Sequence, residues 1–298
     1  MNKVKIISDS ACDLTQELLE RYDIDYVRMI ITLNDVNYEA SLAWDNMTPK
    51  ELYTLMRSGC KPYTTQVNDA QYEEKFREYL DKGFDIVYVA CSSGLSASIH
   101  SAERVVPTLK EEYPNQDIYV VDSLVGDMSQ GLECIYAAEQ RDLGLSAKEI
   151  ADKLLEERFF FHQCGTVDDL KYLKNAGRVK APAAFFGNLF LIKPILVSDT
   201  QGKNVALTKI KTRQRSIEFM ADYVKEHIRE PEKYYISIIH ADCLEDAIKF
   251  KEEVLKRVPN AKDVLISDCG WIIGSNAGPT TLNVYFHGDD RRLIDYYK

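Results

Sequence analysis

DIVYVACSSGLSAS, residues 85–98, is a short run rich in β-branched residues that ends in a turn of serines and glycine and leads into a helical stretch reaching about Glu112. The same progression occurs at residues 4–22, VKIISDSACDLTQELLERY, where the strand VKII gives way to a polar turn and a helix. Residues 117–123, DIYVVDS, supply a further apolar strand ahead of a helix over about 125–142. Strands separated by helices predict a parallel sheet.

Working outward, a second strand is expected over Asp25 to Leu33. Thr48, Pro49 and Glu51 supply cap, first-turn proline and capping-box acid for a helix through Arg57, and Asn68 opens another over Asp69 to Lys82. Asp13 with Gln16 has the same cap spacing for the first helix, and Ser146 with Glu149 opens one over Ala147 to Phe161. After Phe161 the pattern changes. A short helix near Asp168 to Asn175, a buried-looking helix over Ala181 to Leu191, and two strands flanking DTQG, Pro194 to Ser198 and Asn204 to Lys211, predict an antiparallel hairpin. A helix through about Arg229, the strand YYISIIH, a helix from Glu245 to Arg257 capped by Asp242, the strand DVLISD and a final strand in TTLNVYF complete a mixed sheet. The 298 residues therefore divide into two α/β domains, residues 1–163 and 164–298.

Thirty-seven Lys and Arg against forty-seven Asp and Glu give a formal charge of -10, which argues against nonspecific DNA or RNA binding and leaves room for a local basic patch. The seven cysteines form no C-x-x-C pair, so neither a disulfide framework nor a cysteine zinc site is expected. The opening MNKVKIISDS lacks the features of a signal peptide, and the address expected is cytoplasmic. Residues 269–288 carry no Asp, Glu, Lys or Arg, but their glycines and hydroxyls make a poor membrane span.

Open α/β folds bind ligands beyond the carboxyl ends of their strands. Four segments meet that description: SDSACD, SSGLSAS, HAD and CGWIIGSNAGP. Ser92, Ser93, Gly94 and Ser96 suit either a small anion or a helix cap, and Thr64, Thr65 and Gln66 suit either a ligand edge or local turn chemistry. Asp9 and Asp13 read as strand end and helix cap before they read as a magnesium site, so no metal is expected. The five histidines show no metal spacing. Lys209, Lys211, Arg213 and Arg215 alternate through the end of a strand as a solvated face or a docking patch for an acidic partner.

These segments together resemble the DegV family, which includes the fatty-acid-binding subunits of bacterial fatty acid kinase. The resemblance is carried by KIISDSACDL, PYTTQVN, SSGLSAS, DDLKYLKNAGR with LFLIKPIL, IIHAD and GWIIGSNAGP, in family order across the chain. It implies a DegV-like fold, with a parallel three-layer α/β/α domain, a mixed-sheet α/β domain and a ligand cleft and tunnel between them. It further implies a bound long-chain fatty acid such as palmitate, stearate or oleate, no cofactor, and no catalysis by this chain. A separate, acidic, ATP-dependent kinase subunit would make the acyl phosphate. Carried over, the carboxylate contacts would be Thr64 or Thr65, Ser93 and Gly94, with Asn276 and Arg178 nearby. Phe159, Phe160, Phe161, Phe185, Phe186, Leu189, Phe190 and Ile192 are wall candidates for the acyl chain, and Arg213 or Arg215 for kinase docking. Many relatives carry histidine where this chain has Asn276, a residue that hydrogen-bonds but does not become cationic. The alternatives are a lipid-responsive regulatory protein, or a hydrolase or phosphoryl-transfer enzyme using Ser93 or Asp9. The last lacks a nucleophile–base–acid arrangement and a nucleotide loop.

Overall fold

A computed structural model describes residues 2–180 and 192–294. The first half of the chain builds β1 (Lys3–Asp9), α1 (Gln16–Arg21), β2 (Ile24–Val27), β3 (Ile30–Leu33), β4 (Val36–Glu39), α2 (Pro49–Arg57), β5 (Tyr63–Thr65), α3 (Asp69–Leu80), β6 (Phe84–Ala90), α4 (Ser98–Glu112), β7 (Ile118–Asp122), α5 (Asp127–Asp142) and α6 (Ala147–Glu157). The second contributes β8 (Phe161–Thr166), α7 (Leu170–Ala176), β9 (Val179–Lys180), β10 (Ile192–Ser198), β11 (Asn204–Lys211), α8 (Arg213–His227), β12 (Ile236–His240), α9 (Leu244–Arg257), β13 (Val264–Asp268), α10 (Trp271–Ala277) and β14 (Leu282–His287).

The strand–turn–helix segments assemble a wholly parallel sheet in the order β2-β1-β6-β7. Thr48 and Ser146 make the expected reciprocal capping boxes at α2 and α6, and Asn68, expected as a cap, makes one with Gln71 at α3. Two expected caps do not form. Thr15 caps α1, while Asp13 sits at φ 48 with its buried side chain turned toward the second domain. Cys243 begins α9 without a side-chain cap, and Asp242 instead pairs with Lys50 and Arg57 of α2.

The stretch Asp25 to Leu33 is two strands, because the chain leaves the parallel sheet after Val27. Its second part, β3, forms a separate antiparallel sheet, β4-β3-β5. The helix expected to reach Phe161 stops at Glu157, and Phe161 begins β8. That strand lies inside a mixed seven-stranded sheet, β13-β12-β14-β8-β10-β11-β9, antiparallel to β14 on one side and β10 on the other. The boundary expected between residues 163 and 164 therefore falls within a strand of the second sheet. The hairpin of β10 and β11 is antiparallel, as its DTQG turn requires. The helix expected over Ala181 to Leu191 lies outside the described residues.

Helix α5 touches β1 and β6 of the first sheet and β8 and β14 of the second, and every residue from Asp127 to Ala138 is buried. These buried turns have no face to offer water, and their polar groups are only partly partnered: Gln130 Oε1 and both Glu133 oxygens accept no hydrogen bond from the described residues. Gln130 Nε2 donates to Ser8 Oγ at 2.9 Å. Glu133 is completely buried within the field of Arg158 and Arg291, and desolvation pushes its carboxyl well up despite those cations.

Charged groups also meet across the domain junction. Asp13 Oδ2 accepts from the Gly270 N–H at 2.7 Å, and Asp127 Oδ2 accepts from the Tyr285 hydroxyl and from Asn283 Nδ2. Oxygens of the two carboxyls lie within 4.8 Å of each other and of Cys269 Sγ, and Asp13 Oδ1 has no donor. Burial pushes both carboxyls up, and the neighbouring Asp127 raises Asp13 further. One proton shared by the pair, carried on Asp13, resolves the repulsion.

Folding thus takes up a proton at Asp13. The unfolded carboxyl ionises near pH 4, whereas the folded one stays neutral until its raised pKa is passed. Stability contributed by this proton is complete below the unfolded pKa and falls as pH rises toward the folded one, by up to about 1.4 kcal/mol per pH unit. Asp13→Asn keeps an acceptor for Gly270 and offers a donor to Asp127. Urea unfolding of this variant between about pH 5 and 8 should show a flatter decline than wild type; an unchanged slope would exclude the shared proton.

Candidate functional site

Three short elements bring polar side chains to the domain junction. In β5, Thr64 pairs in register with Ile31 and is half-buried, while Thr65 is exposed. Asp169 caps α7, and Gly177 closes it at φ 66, a left-handed conformation that turns the chain so that Arg178 follows immediately. In the last turn of α10, Asn276 Nδ2 donates to Ile272 O at 2.6 Å and lies 3.5 Å from Thr64 Oγ1. The segment CGWIIGSNAGP beyond β13 thus holds a helix, begun by Gly270 and ended at Gly278. Gly274 permits that helix to rest on Tyr53, whose hydroxyl would stand 2.1 Å from a Cβ there.

These residues border a cavity of about 370 Å³. Its apolar wall includes Ala11, Met29, Cys91, Leu95, Ile272 and Ile273. Tyr63, Thr64, Arg178 and Asn276 also line a second hollow of about 270 Å³, so they stand where the two adjoin. On the other side, Leu95, Leu173, Ile273 and Ala277 are shared with a smaller void of about 40 Å³ toward Val167 and Leu196. The result is an interdomain cavity of a size suited to small ligands, more apolar than polar, with Thr64, Arg178 and Asn276 at one border and Thr65, Gln66, Ser96 and Asn204 elsewhere on its lining.

The DegV sequence profile, described as that of an uncharacterised protein family, matches residues 3–288. The chain belongs to the DegV family. A DegV domain-containing protein of Clostridium perfringens is 36% identical over 291 residues, covering 98% of this chain and 99% of the relative. A stearic-acid-binding protein from Eubacterium ventriosum is 25% identical, with a TM-score of 0.82 over 98% of this chain and 100% of that one. A DegV lipid-binding protein from Thermotoga maritima is also 25% identical, with a TM-score of 0.81 over 97% and 99% of the two chains. Among the described residues, no helix is long and apolar enough to cross a membrane.

Of the positions to which the DegV resemblance assigns carboxylate contacts, Thr64, Thr65, Asn276 and Arg178 line the cavity. Thr64 is the threonine that faces Asn276. Ser93 is elsewhere: its N–H donates to Asp122 Oδ1 at 3.1 Å, it is exposed, and Ser96 is the serine of that turn at the cavity wall. Ser92 and Gly94 dock the turn onto the β10–β11 hairpin. Ser92 Oγ donates to Gly202 O, and a Cβ at Gly94 would stand 2.7 Å from Gln201 O and 2.8 Å from Gly202 O.

The aromatic wall candidates divide differently. Phe161 is 1% exposed and packs against Tyr136 and His287, Phe160 stacks on His287, and Phe159 lies beneath Arg158 and Arg292. None of these, nor Ile192, is among the cavity's described lining residues. Phe185, Phe186, Leu189 and Phe190 lie outside the described residues. Asp9 is fully buried and accepts from Ala11 N, Cys91 N and Tyr88 OH, so its oxygens serve the sheet end. The basic run also splits. Arg213 opens α8 and is held by Asp246, Asp168 and Thr280 O with its side chain 16% exposed, leaving Arg215 as the exposed arginine. Asp13, Asp127 and Cys269 have the spacing of metal ligands, but protein donors occupy both oxygens of Asp127 and one of Asp13, and burial pushes the thiol up, which favours a protonated cluster.

Met29, Leu95, Ile272 and Ile273 were missed as wall residues because Met29 falls inside the stretch read as a single strand, Asp25 to Leu33, and the other three stand in segments read for their polar groups and glycines. The apolar pair in GWIIG was their clearest local signal. The close approach at Gly94 makes it the sensitive position of its turn. Gly94→Ala must part the turn from the hairpin and should lower unfolding stability by about 1–3 kcal/mol, whereas Ser93→Ala should leave the thermal midpoint nearly unchanged. Equal stability of both variants in denaturant titrations would show that the turn does not depend on this contact.

Proposed function

We propose that this protein binds one long-chain fatty acid and presents its carboxylate to a separate ATP-dependent kinase, without chemistry of its own. The observation that carries the reading is the division of the cavity: apolar walls over most of its surface, and Thr64, Asn276 and Arg178 grouped where it adjoins a second hollow. The acyl tail fills the apolar part and continues toward Val167 and Leu196, while the carboxylate accepts from Thr64 Oγ1, Asn276 Nδ2 and the Arg178 guanidinium. The stearic-acid-binding and lipid-binding relatives support the ligand class.

Burying the methylenes of a sixteen-carbon chain gains about 11 kcal/mol gross at about 0.8 kcal/mol each, before ordering costs. The tail therefore supplies the affinity and the three polar groups set its direction. A head at the border of the second hollow remains within reach of a partner's active site, whereas a head pointing inward would not. Arg215 and Lys211 offer exposed positive charge for an acidic partner, and Arg213 is committed to the fold.

Native mass spectrometry of freshly purified protein should show one acyl chain that disappears on denaturation. Absence of lipid, together with no calorimetric uptake of palmitate or oleate, would reject the reading. Thr64→Val should weaken oleate binding by about 1–3 kcal/mol if a carboxylate oxygen is left buried without its donor, and Ser93→Ala should not. Asn276→His should make affinity depend on pH, rising as pH falls through the imidazole's range near about 6.5; a pH-independent variant would remove residue 276 from the carboxylate contacts.

A further inference from the structure

The smaller void that continues the main cavity toward Val167 and Leu196 is not walled as an acyl terminus requires. Asp127, Gln163, Asn204, Thr281 and Asn283 line it beside those apolar side chains. Strand pairing brings them to one place. Gln163 and Gly165 lie two residues apart on one face of β8, and Asn283 of β14 pairs in register with Gly165. Asn204 of β11 pairs with Ser198 of β10, whose hydroxyl donates to Gln163 Oε1. The glycine is what admits the amide opposite it: a Cβ at Gly165 would stand 1.9 Å from Asn283 Oδ1.

Most of these polar atoms are committed. Asp127 Oδ1 accepts from the Met128 N–H and Oδ2 from Tyr285 and Asn283, Thr281 Oγ1 donates to Gly278 O, and Gln163 is held between Ser198 Oγ and Asn204 Oδ1. Two atoms are not. Asn283 Oδ1 receives no described donor, and Asn204 Nδ2 reaches no described acceptor, although Asn204 stands where the void opens into the main cavity. One acceptor and one donor left over at a small void match a hydroxyl, which both accepts and donates. The void, about 40 Å³, exceeds the roughly 10–15 Å³ that a single water occupies. We infer that this void is a distal subsite for an oxygen carried on the acyl chain, so that the protein selects long-chain fatty acids hydroxylated in the half remote from the carboxylate over plain saturated ones. The inference rests on the fatty-acid reading above. A methylene or methyl pushed into the void displaces water from both amides and returns no hydrogen bond, whereas a hydroxyl replaces what the water made.

Calorimetry on delipidated full-length protein compares stearate with 2-, 12- and 18-hydroxystearate, which place the same hydroxyl beside the head, in the far half and at the tip of one chain length. Wild type should bind 12- or 18-hydroxystearate more tightly than stearate by about fivefold or more, and 2-hydroxystearate should show no such gain. Asn204→Leu, which removes the free donor and keeps the side chain's size, should bring that preference to within about twofold. The wild-type comparison decides the matter by itself should the variant not fold. A smaller gain for both distal hydroxy acids would overturn the subsite and leave the void to ordered water. An equal gain for 2-hydroxystearate would also overturn it, since the benefit would then arise at the head. So would a preference undiminished in folded Asn204→Leu. Failure of all four acids to bind wild type would instead overturn the fatty-acid reading.

Discussion

The cavity exists because two domains are held in one register by polar groups buried between them. Asp13 from the loop after β1 receives the N–H that begins α10, and Asp127 from the start of α5 receives Tyr285 and Asn283 of β14. Buried hydrogen bonds are directional and costly to leave unmade, so they fix relative position more sharply than apolar contact can. Helix α10 carries Asn276, Ile272 and Ile273 to the cavity, and its placement against β5 follows from where Gly270 is tied. Stacking of Trp271 on Trp44 at 5.4 Å and the Tyr53 hydroxyl on Cys269 O support the same seating from the side.

Much of the alternating architecture was legible because its signals are local. A cap and its reciprocal acid lie three residues apart, as at Thr48 and Glu51 or Ser146 and Glu149, and no distant group is needed to form them. The strand FHQCGT of β8 was not legible. Its six residues are all buried, yet half of them are polar, because partners such as Asn204 for Gln163 and Tyr223 for His162 come from far along the chain. The β4-β3-β5 sheet escaped for a partly related reason: its strands are three or four residues long, and although β3 and β4 pair across Asn34 and Asp35, β5 joins them only from beyond α2.

The site was legible in its chemistry before its geometry. PYTTQVN and GWIIGSNAGP identified Thr64 and Asn276, and the side-chain approach between them selects Thr64 over its neighbour. Ser93 and Ser96 occupy one turn and differ in no property that sequence displays. What separates them is the Asp122 carboxylate, which takes the N–H of Ser93 and orients the turn. Arg213 likewise reads as surface charge until Asp246 and Asp168, from two other segments, are brought against it.

The burial of α5 between both sheets bears on how the cavity can be reached. A helix wedged against two sheets, with Glu133 shut in near Arg158 and Arg291, cannot serve as a hinge: swinging the domains apart would expose that carboxyl's surroundings and strip the helix on one side. Domain opening and global unfolding would then cost similar amounts, and the chain would lose its two sheets together. Passage is cheaper at the periphery, where β5, α7 and the turn around Leu95 meet the cavity through short elements and exposed side chains. Access to the cavity is therefore set by this periphery and not by the junction that α5 seals.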